Sequence, residues 1–147
     1  MKKKAISMIC LMLFISVGFD LSVYGKDENQ NSKEIVEITP FWQNIAMIVV
    51  DLFIDNNGRA VMEGFVVGNM STTSITVNAS LDRVNANGTL TNIASFNNLV
   101  GQGNMWAWDA VRMVARGHYY RLTLTVTAVR HGISETVVFS SRDTRAN

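Results

Sequence analysis

The chain has 147 residues, of which 48% are hydrophobic and 17% charged, and its formal net charge is +1. This near-neutral balance gives no basic surface for nucleic acid or for an anionic membrane. A single cysteine excludes a framework of intrachain disulfides, and the length suits one domain with its own core.

The N-terminus has the layout of a secretory signal peptide. Lysines in residues 1–4 precede an apolar run over residues 5–19, and residues 23–25 carry small side chains at the positions that a signal peptidase reads. We predict a signal over residues 1–25, cleavage between Gly25 and Lys26, and a secreted product. The apolar run is shorter than the roughly 20 residues that span a bilayer, so an uncleaved anchor is the weaker alternative.

Removal of this signal changes the composition of the chain. The only cysteine, Cys10, is lost, together with three of the 13 basic and one of the 12 acidic residues, so the mature formal charge is −1. A secreted domain without disulfides fits a bacterial exoprotein, and the lysine-rich start fits a Gram-positive signal. We expect a mature chain that does not span a membrane and does not bind nucleic acid.

The mature chain begins with a polar stretch and continues as strands. Residues 26–40 are predicted to be a flexible polar lead-in that ends at Pro40. Over residues 41–142, apolar and polar residues alternate with period two between turn signals, which indicates β-strands. Seven strands are predicted, over residues 44–54, 59–68, 74–84, 89–96, 105–114, 119–129 and 133–141.

Turn residues separate these strands. Asn-Gly pairs at residues 57–58 and 87–88 predict hairpins with positive φ at both central positions. Residues 109–116 also have helix propensity, so a short helix is the alternative to the end of the fifth strand. Residues 143–147 are predicted to be a frayed polar tail. The pattern as a whole predicts an all-β, immunoglobulin-like or fibronectin-like antiparallel sandwich of about seven strands.

A short stretch around Tyr120 resembles the corner between strands E and F of fibronectin type III and immunoglobulin-like domains. Val114, Gly117 and Tyr120 follow at intervals of three, and alternating leucines come next. The resemblance implies that the Tyr120 hydroxyl donates a hydrogen bond back to the backbone of the preceding loop. Arg116 is a departure, since fibronectin-type domains commonly have proline there.

The mature chain as a whole resembles a group of small secreted Firmicutes proteins of unknown function. The resemblance is carried by PFWQNI at residues 40–45, YRLTLTV at residues 120–126 and GISETV at residues 132–137. It implies a Gram-positive exoprotein of one β-domain, and it brings no catalytic residues.

Catalytic and metal-binding motifs are not visible in the sequence. HExxH, GxSxG, a phosphate-binding loop and paired cysteines are all lacking. His118 and His131 have no partner ligands or triad members nearby in the sequence. We therefore predict a non-enzymatic protein without cofactor or metal. The acidic residues are scattered along the strands and turns: Asp51, Asp55, Glu63, Asp82, Asp109 and Glu135.

Two tryptophans raise the main question about a binding site. Trp106 and Trp108 share one face of a strand, whereas Val111 and Met113 have the opposite parity. A β-bulge near residues 109–110 would bury all four, which is the favoured prediction. The alternative leaves both indole rings on an open sheet face, as a platform for sugar rings or for the apolar surface of a partner.

Three functional hypotheses follow from these features. The leading one is a secreted, non-enzymatic binding or interaction domain for a cell-wall or host glycan or a protein, with Trp106 and Trp108 as candidate binding residues. Trp42 is expected to seal one end of the sandwich. The second is a structural exoprotein that self-associates through sheet edges, for which the apolar, proline-free run at residues 45–50 is the candidate edge. A small hydrolase is the third.

Overall fold

The computed structural model describes the backbone of Ile35–Val36 and residues 42–147. This part of the chain is built of β-strands joined by turns, and it contains no helix. The strands are β1 (Ile35–Val36), β2 (Ile45–Ile54), β3 (Arg59–Gly68), β4 (Thr72–Val84), β5 (Leu90–Val100), β6 (Met105–Met113), β7 (Tyr119–Arg130), β8 (Ile133–Ser140) and β9 (Thr144–Arg145).

The strands form two antiparallel sheets packed as a sandwich. Sheet A has the order β1-β2-β3-β6, and sheet B has the order β5-β4-β7-β8, with β9 pairing with β7. The pairs β3-β6 and β4-β7 join strands that are distant in the sequence, whereas β2-β3, β4-β5 and β7-β8 are hairpins. The predicted all-β antiparallel sandwich is confirmed, with the seven predicted strands as β2 to β8.

Period-two alternation places one face of each central strand in a shared core. Every second residue of β2 from Ile48 to Ile54 is buried, and the same holds on β7 from Tyr120 to Ala128. Burial of one such aliphatic side chain contributes about 1.5–3 kcal/mol, so these strands supply much of the stability of the domain. The fully buried large side chains are Tyr120, Ile45, Ile48, Met62, Ile75, Leu81, Leu122, Leu124, Val50, Val66, Val77 and Val126.

The Asn-Gly hairpins form, but with a different turn than predicted. At the first, the Gly58 amide donates to the Asp55 carbonyl (3.0 Å) and the Asp55 amide donates to the Arg59 carbonyl (3.1 Å). Only Gly58 has positive φ (79°), and Gly88 repeats this in the second hairpin (80°). The prediction of positive φ at both central positions is wrong because each loop has room for a type I turn followed by one left-handed glycine.

The hairpin between β7 and β8 uses the tighter turn. Arg130 and Ile133 pair directly, which leaves two residues in the loop. Both have positive φ, at 51° for His131 and 76° for Gly132, as a type I′ turn requires.

The C-terminal end of the domain is more ordered than the sequence suggested. The predicted frayed tail contains β9, which pairs with Tyr119 and Tyr120, and Ala146 is fully buried. The prediction of fraying is therefore wrong. The tail is held because the Gly117 amide donates to the Ala146 carbonyl (2.6 Å) and the Ala146 amide donates to the His118 carbonyl (2.9 Å). At the other end, β1 lies within the predicted lead-in and pairs with β2.

Two boundaries inside the domain also resolve sequence alternatives. β5 continues to Val100, beyond the predicted end at residue 96. β6 continues as a strand to Met113, so the helix alternative for residues 109–116 is wrong.

The signal over residues 1–25, its cleavage site at Gly25 and Lys26, and Cys10 lie outside the described residues. In the described part of the chain, no helix is long and apolar enough to cross a membrane.

Tyr120 makes the hydrogen bond that its position predicts. Its hydroxyl donates to the Ala115 carbonyl oxygen at 2.8 Å, and its side chain is buried. Burial raises the pKa of the Tyr120 phenol, because the charged form would lose its hydration, and the positive charge of Arg83 opposes this effect. The contact fixes the loop between the two sheets.

Glu135 on β8 fixes the point where the chain enters β2. Its carboxylate accepts hydrogen bonds from the amides of Gln43 (3.0 Å) and Asn44 (2.7 Å). The buried Asn44 side chain donates to the carbonyls of Ala128 (3.0 Å) and Ile133 (2.9 Å). The start of sheet A is thereby joined to the β7-β8 hairpin of sheet B by polar contacts, of which the bond from Asn44 to Ala128 is buried.

Candidate binding surface

The register of β6 decides where the two tryptophans point. β6 pairs with β3 without interruption, from Arg59 opposite Met113 to Val67 opposite Met105. The predicted bulge near residues 109–110 is therefore wrong. Trp106 and Trp108 face the core, and Val111 and Met113 stay outside because the strand keeps its regular alternation.

The indole rings are packed inside the sandwich. Trp106 is only 3% exposed, and it stacks on Trp108 with ring centroids 6.1 Å apart. Trp108 is half-buried and meets Phe96 of β5 edge to face at 4.9 Å. The pair suggested as candidate binding residues thus does not form an open platform.

A glycine on the neighbouring strand makes this packing possible. A Cβ atom on Gly64, which lies opposite Trp108 in β3, would come within 2.6 Å of the Trp106 ring. At the end of the sandwich, Trp42 packs against the core and meets Phe139 edge to face at 6.3 Å. This packing is what we expect of a residue that closes one end of the sandwich.

The outer face of sheet A, formed by the side chains of β2, β3 and β6 that point away from the core, is largely apolar. Its residues lie in rows across the three strands because the registers are fixed. The large apolar residues among them that are most exposed are Phe53 (43%), Val111 (46%), Met105 (48%) and Met113 (63%). The apolar rows are Met47-Val67-Met105, Val49-Phe65-Ala107 and Phe53-Val61-Val111.

A row of three carboxylates divides this apolar face. Asp51 lies opposite Glu63, and Glu63 lies opposite Asp109. Like charges directly opposite each other in a sheet repel. Arg59 lies on the same face beside Met113. A concavity of about 740 Å³ on this face is lined by the carboxylate row and by its apolar neighbours on all three strands.

The outer face of sheet B differs in character. Hydroxyl pairs cross β7 and β8, with Thr123 bonded to Ser140 (2.9 Å) and Thr127 bonded to Thr136 (3.0 Å), and the exposed Val138 lies between them opposite Thr125. A solvent-facing side of an antiparallel sheet is ordinarily polar in this way. The apolar character of the outer face of sheet A is therefore a property of that sheet and not of the whole surface.

Outside the carboxylate row of sheet A, the histidines and acidic residues of the described chain lie in separate turns and strands. His118 and His131 are exposed in separate turns. Asp82 accepts hydrogen bonds from Ser80 (2.6 Å) and Asn92 (2.9 Å) within sheet B. Asp55 accepts bonds from the amides of its own turn. No group of three or more histidine, cysteine or acidic side chains within residues 42–147 is arranged to hold a metal ion.

The sequence of β2 carries one sign of the apolar outer face. Residues 44–54 are apolar on both faces of the strand, a pattern typical of a strand covered on both sides. In the structure, β2 buries one of these faces in the core and contributes the other to the outer face of sheet A.

No family model, curated protein or solved structure matches this chain.

Proposed function

We propose that the mature chain is a secreted, non-enzymatic binding domain that holds a protein partner on the outer face of sheet A. The observation that carries the proposal is the gathering of three apolar rows on one sheet face, opposite a hydroxyl-covered face on the other sheet. Contiguous exposed apolar surface with a polar rim is characteristic of interaction sites.

The chemistry of this face favours a protein over a glycan. Sugar rings are bound by exposed aromatic faces, whereas here both neighbouring indoles are turned into the core. The most exposed apolar side chains are Phe53, Val111, Met105 and Met113, and flexible methionines suit the irregular apolar surface of a protein. The row of Asp51, Glu63 and Asp109 supplies the charged groups that would orient a partner bearing basic residues.

Secretion and a fibronectin-like arrangement complete the proposal. The lysine-rich start and the small residues before Lys26 support export. The two-sheet strand order and the bond from Tyr120 to Ala115 support the fibronectin-like classification, which by itself implies no function. N-terminal sequencing of the product released by a Gram-positive host tests export: we expect Lys26 as the first residue.

The binding proposal is tested by comparing variants of the two outer faces. Residues 26–147 would be screened against extracellular proteins, cell-wall fractions and glycans. For a protein that binds, Val111→Ser/Met113→Ser should abolish binding, and Thr125→Ala/Thr127→Ala on sheet B should retain it. Binding that survives the first variant and is lost in the second would contradict the proposal, as would binding to glycans alone.

A further inference from the structure

One edge of β6 pairs with no strand of the described part of the chain. The hydrogen bonds at the two ends of β6 show which of its backbone groups point to that edge. The Val114 amide donates to the Gly58 carbonyl and the Gly68 amide donates to the Asn104 carbonyl, each at 2.8 Å. Even-numbered residues of β6 therefore bond to β3, and odd-numbered residues point their N–H and C=O groups away from it. Met105 uses these groups in a tight turn with Gln102. The remaining ones, at residues 107, 109, 111 and 113, pair with no strand of the described part of the chain.

The other sheet edges show irregularities or local contacts. β5 follows β4 with two register shifts, and the Glu135 side chain near the start of β8 accepts bonds from the amides of residues 43–44. β2 is flanked by β1 at Ile48 and Val49 and by the Thr144 hydroxyl on the Leu52 carbonyl (3.2 Å). Residues 45–50, the edge expected from the sequence, pair with β1 at Ile48 and Val49. β6 has no proline and no bulge, and its charged side chains are Asp109 and Arg112.

We propose that two copies of this chain join through β6, antiparallel, about a two-fold axis that passes Ala110 perpendicular to the sheet. In this register Asp109 pairs with Val111 of the partner subunit, and Ala107 pairs with Met113 of the partner subunit. All four open residues of each copy are used, for about eight backbone hydrogen bonds. The two copies of sheet A become one continuous sheet. This inference goes beyond the binding of a different protein and does not depend on it.

The composition of β6 makes this pairing self-complementary. Opposite residues of an antiparallel pair share a face, so the register can shift only in steps of two. Centring the axis on Ala110 puts a small side chain where the two strands are closest. It also places the exposed Arg112 guanidinium beside the half-buried Trp108 ring of the partner subunit, a favourable cation-aromatic arrangement. An axis centred on Asp109 would place the two Asp109 carboxylates opposite each other. It would also pair Met105 with Met113 of the partner subunit, although the Met105 backbone already bonds to Gln102.

The axis also fixes the relation between the two carboxylate rows. Asp109 of each copy lies diagonal to its counterpart, at roughly 7–8 Å between backbones. Their repulsion weakens the pairing without preventing it. Asp109→Asn should therefore tighten the dimer several-fold, whereas Asp51→Asn, on the far side of the same row, should leave it unchanged.

Sedimentation equilibrium of residues 26–147, which contain both complete sheets, tests the pairing. We expect a concentration-dependent dimer of the wild-type chain. Val111→Pro should be monomeric with an unchanged circular dichroism spectrum, because the amide that proline removes faces the open side. Val111→Ser keeps that amide and should dimerise. A wild-type chain that stays monomeric at the highest concentration, or a folded Val111→Pro variant that still dimerises, would overturn the proposal.

Single cysteines test the register independently of proline. The mature chain has no cysteine of its own, so Ala110→Cys would be opposite itself and should form an interchain disulfide on mild oxidation. Ala107→Cys should not, since its counterpart would lie about 20 Å away. Cross-linking at residue 107 in preference to residue 110 would refute the axis. Loss of partner binding in Val111→Ser/Met113→Ser with the dimer intact would separate the two functions.

Discussion

Trp106 is the residue whose environment says most about this domain. It is buried against Trp108 and lies over a glycine of the neighbouring strand, and it connects β6 to the core. Its indole is therefore a structural element of the sandwich. The binding surface that we propose includes the odd-numbered residues of β6, whose side chains point to the outer face of sheet A.

Substitution of Trp106 tests this division of β6 into two faces. Trp106→Ala should lower the free energy of unfolding by about 3–5 kcal/mol, because it leaves a large cavity. Val111→Ala, on the outer face of the same strand, should cost less than about 1 kcal/mol. Guanidinium unfolding of residues 26–147 measures both. Similar losses for the two variants would contradict the assignment of faces.

Tyr120 offers a second residue-scale prediction, through its bond to Ala115. Tyr120→Phe removes one hydrogen bond and should cost about 1 kcal/mol of stability at neutral pH. Since burial raises the pKa of the phenol in the folded state, the unfolded chain ionises first as the pH rises. The stability of the wild-type domain should therefore fall above about pH 10, the ordinary value for tyrosine.

Urea unfolding between pH 8 and pH 11 distinguishes this effect from general alkaline loss. The Tyr120→Phe variant should show a shallower decline than the wild-type chain over that interval. Tyr119→Phe is the matched control, because Tyr119 is half exposed and adjacent in the chain. A decline that is equally steep in all three proteins would show that Tyr120 does not carry it.

At the scale of elements, the contact between β3 and β6 depends on Gly64. A Cβ atom there would meet two atoms of the Trp106 ring at 2.6 and 2.8 Å, so the ring must move to accept it. Overpacking of a core typically costs about 1–3 kcal/mol, and we expect Gly64→Ala to fall in this range. Thermal and guanidinium unfolding provide the measurement.

A double-mutant cycle shows whether the loss comes from this contact. In a Trp106→Phe background the smaller ring leaves room for the methyl group, so the cost of Gly64→Ala should shrink. An unchanged cost in that background would mean that Gly64 is required for its backbone and not for the space it leaves.

At the scale of the whole molecule, the two sheets share one core and should unfold together. Trp42 contacts the core at one end, and Trp106 and Trp108 lie within or against it, so tryptophan fluorescence reports on the packing of both sheets. We expect a single transition, with coincident curves from fluorescence and far-ultraviolet circular dichroism. Two separated transitions would show that the sheets are independent units.

The sequence by itself determined the local features of this protein. The period-two pattern located all seven long strands, with the bounds of β3 as predicted, because alternation is a property of neighbouring residues. The hydrogen bond of Tyr120 could also be predicted, since it joins residues five positions apart. The Asn-Gly pairs located their hairpins, but the loop length decided which turn they adopt.

Only the tertiary structure decided which face of each strand is inside and which edge is open. Alternation along β6 places Trp106 and Trp108 on one face and Val111 and Met113 on the other. Packing between strands decides which pair is buried, because Gly64 leaves room for the Trp106 ring. The carboxylate row and the apolar rows beside it come from strands far apart in the sequence, so they exist only through the registers of β2, β3 and β6. Alternation along one strand carries no information about which strand lies beside it. The candidate site consists of residues from adjacent strands, so the sequence pattern could not locate it.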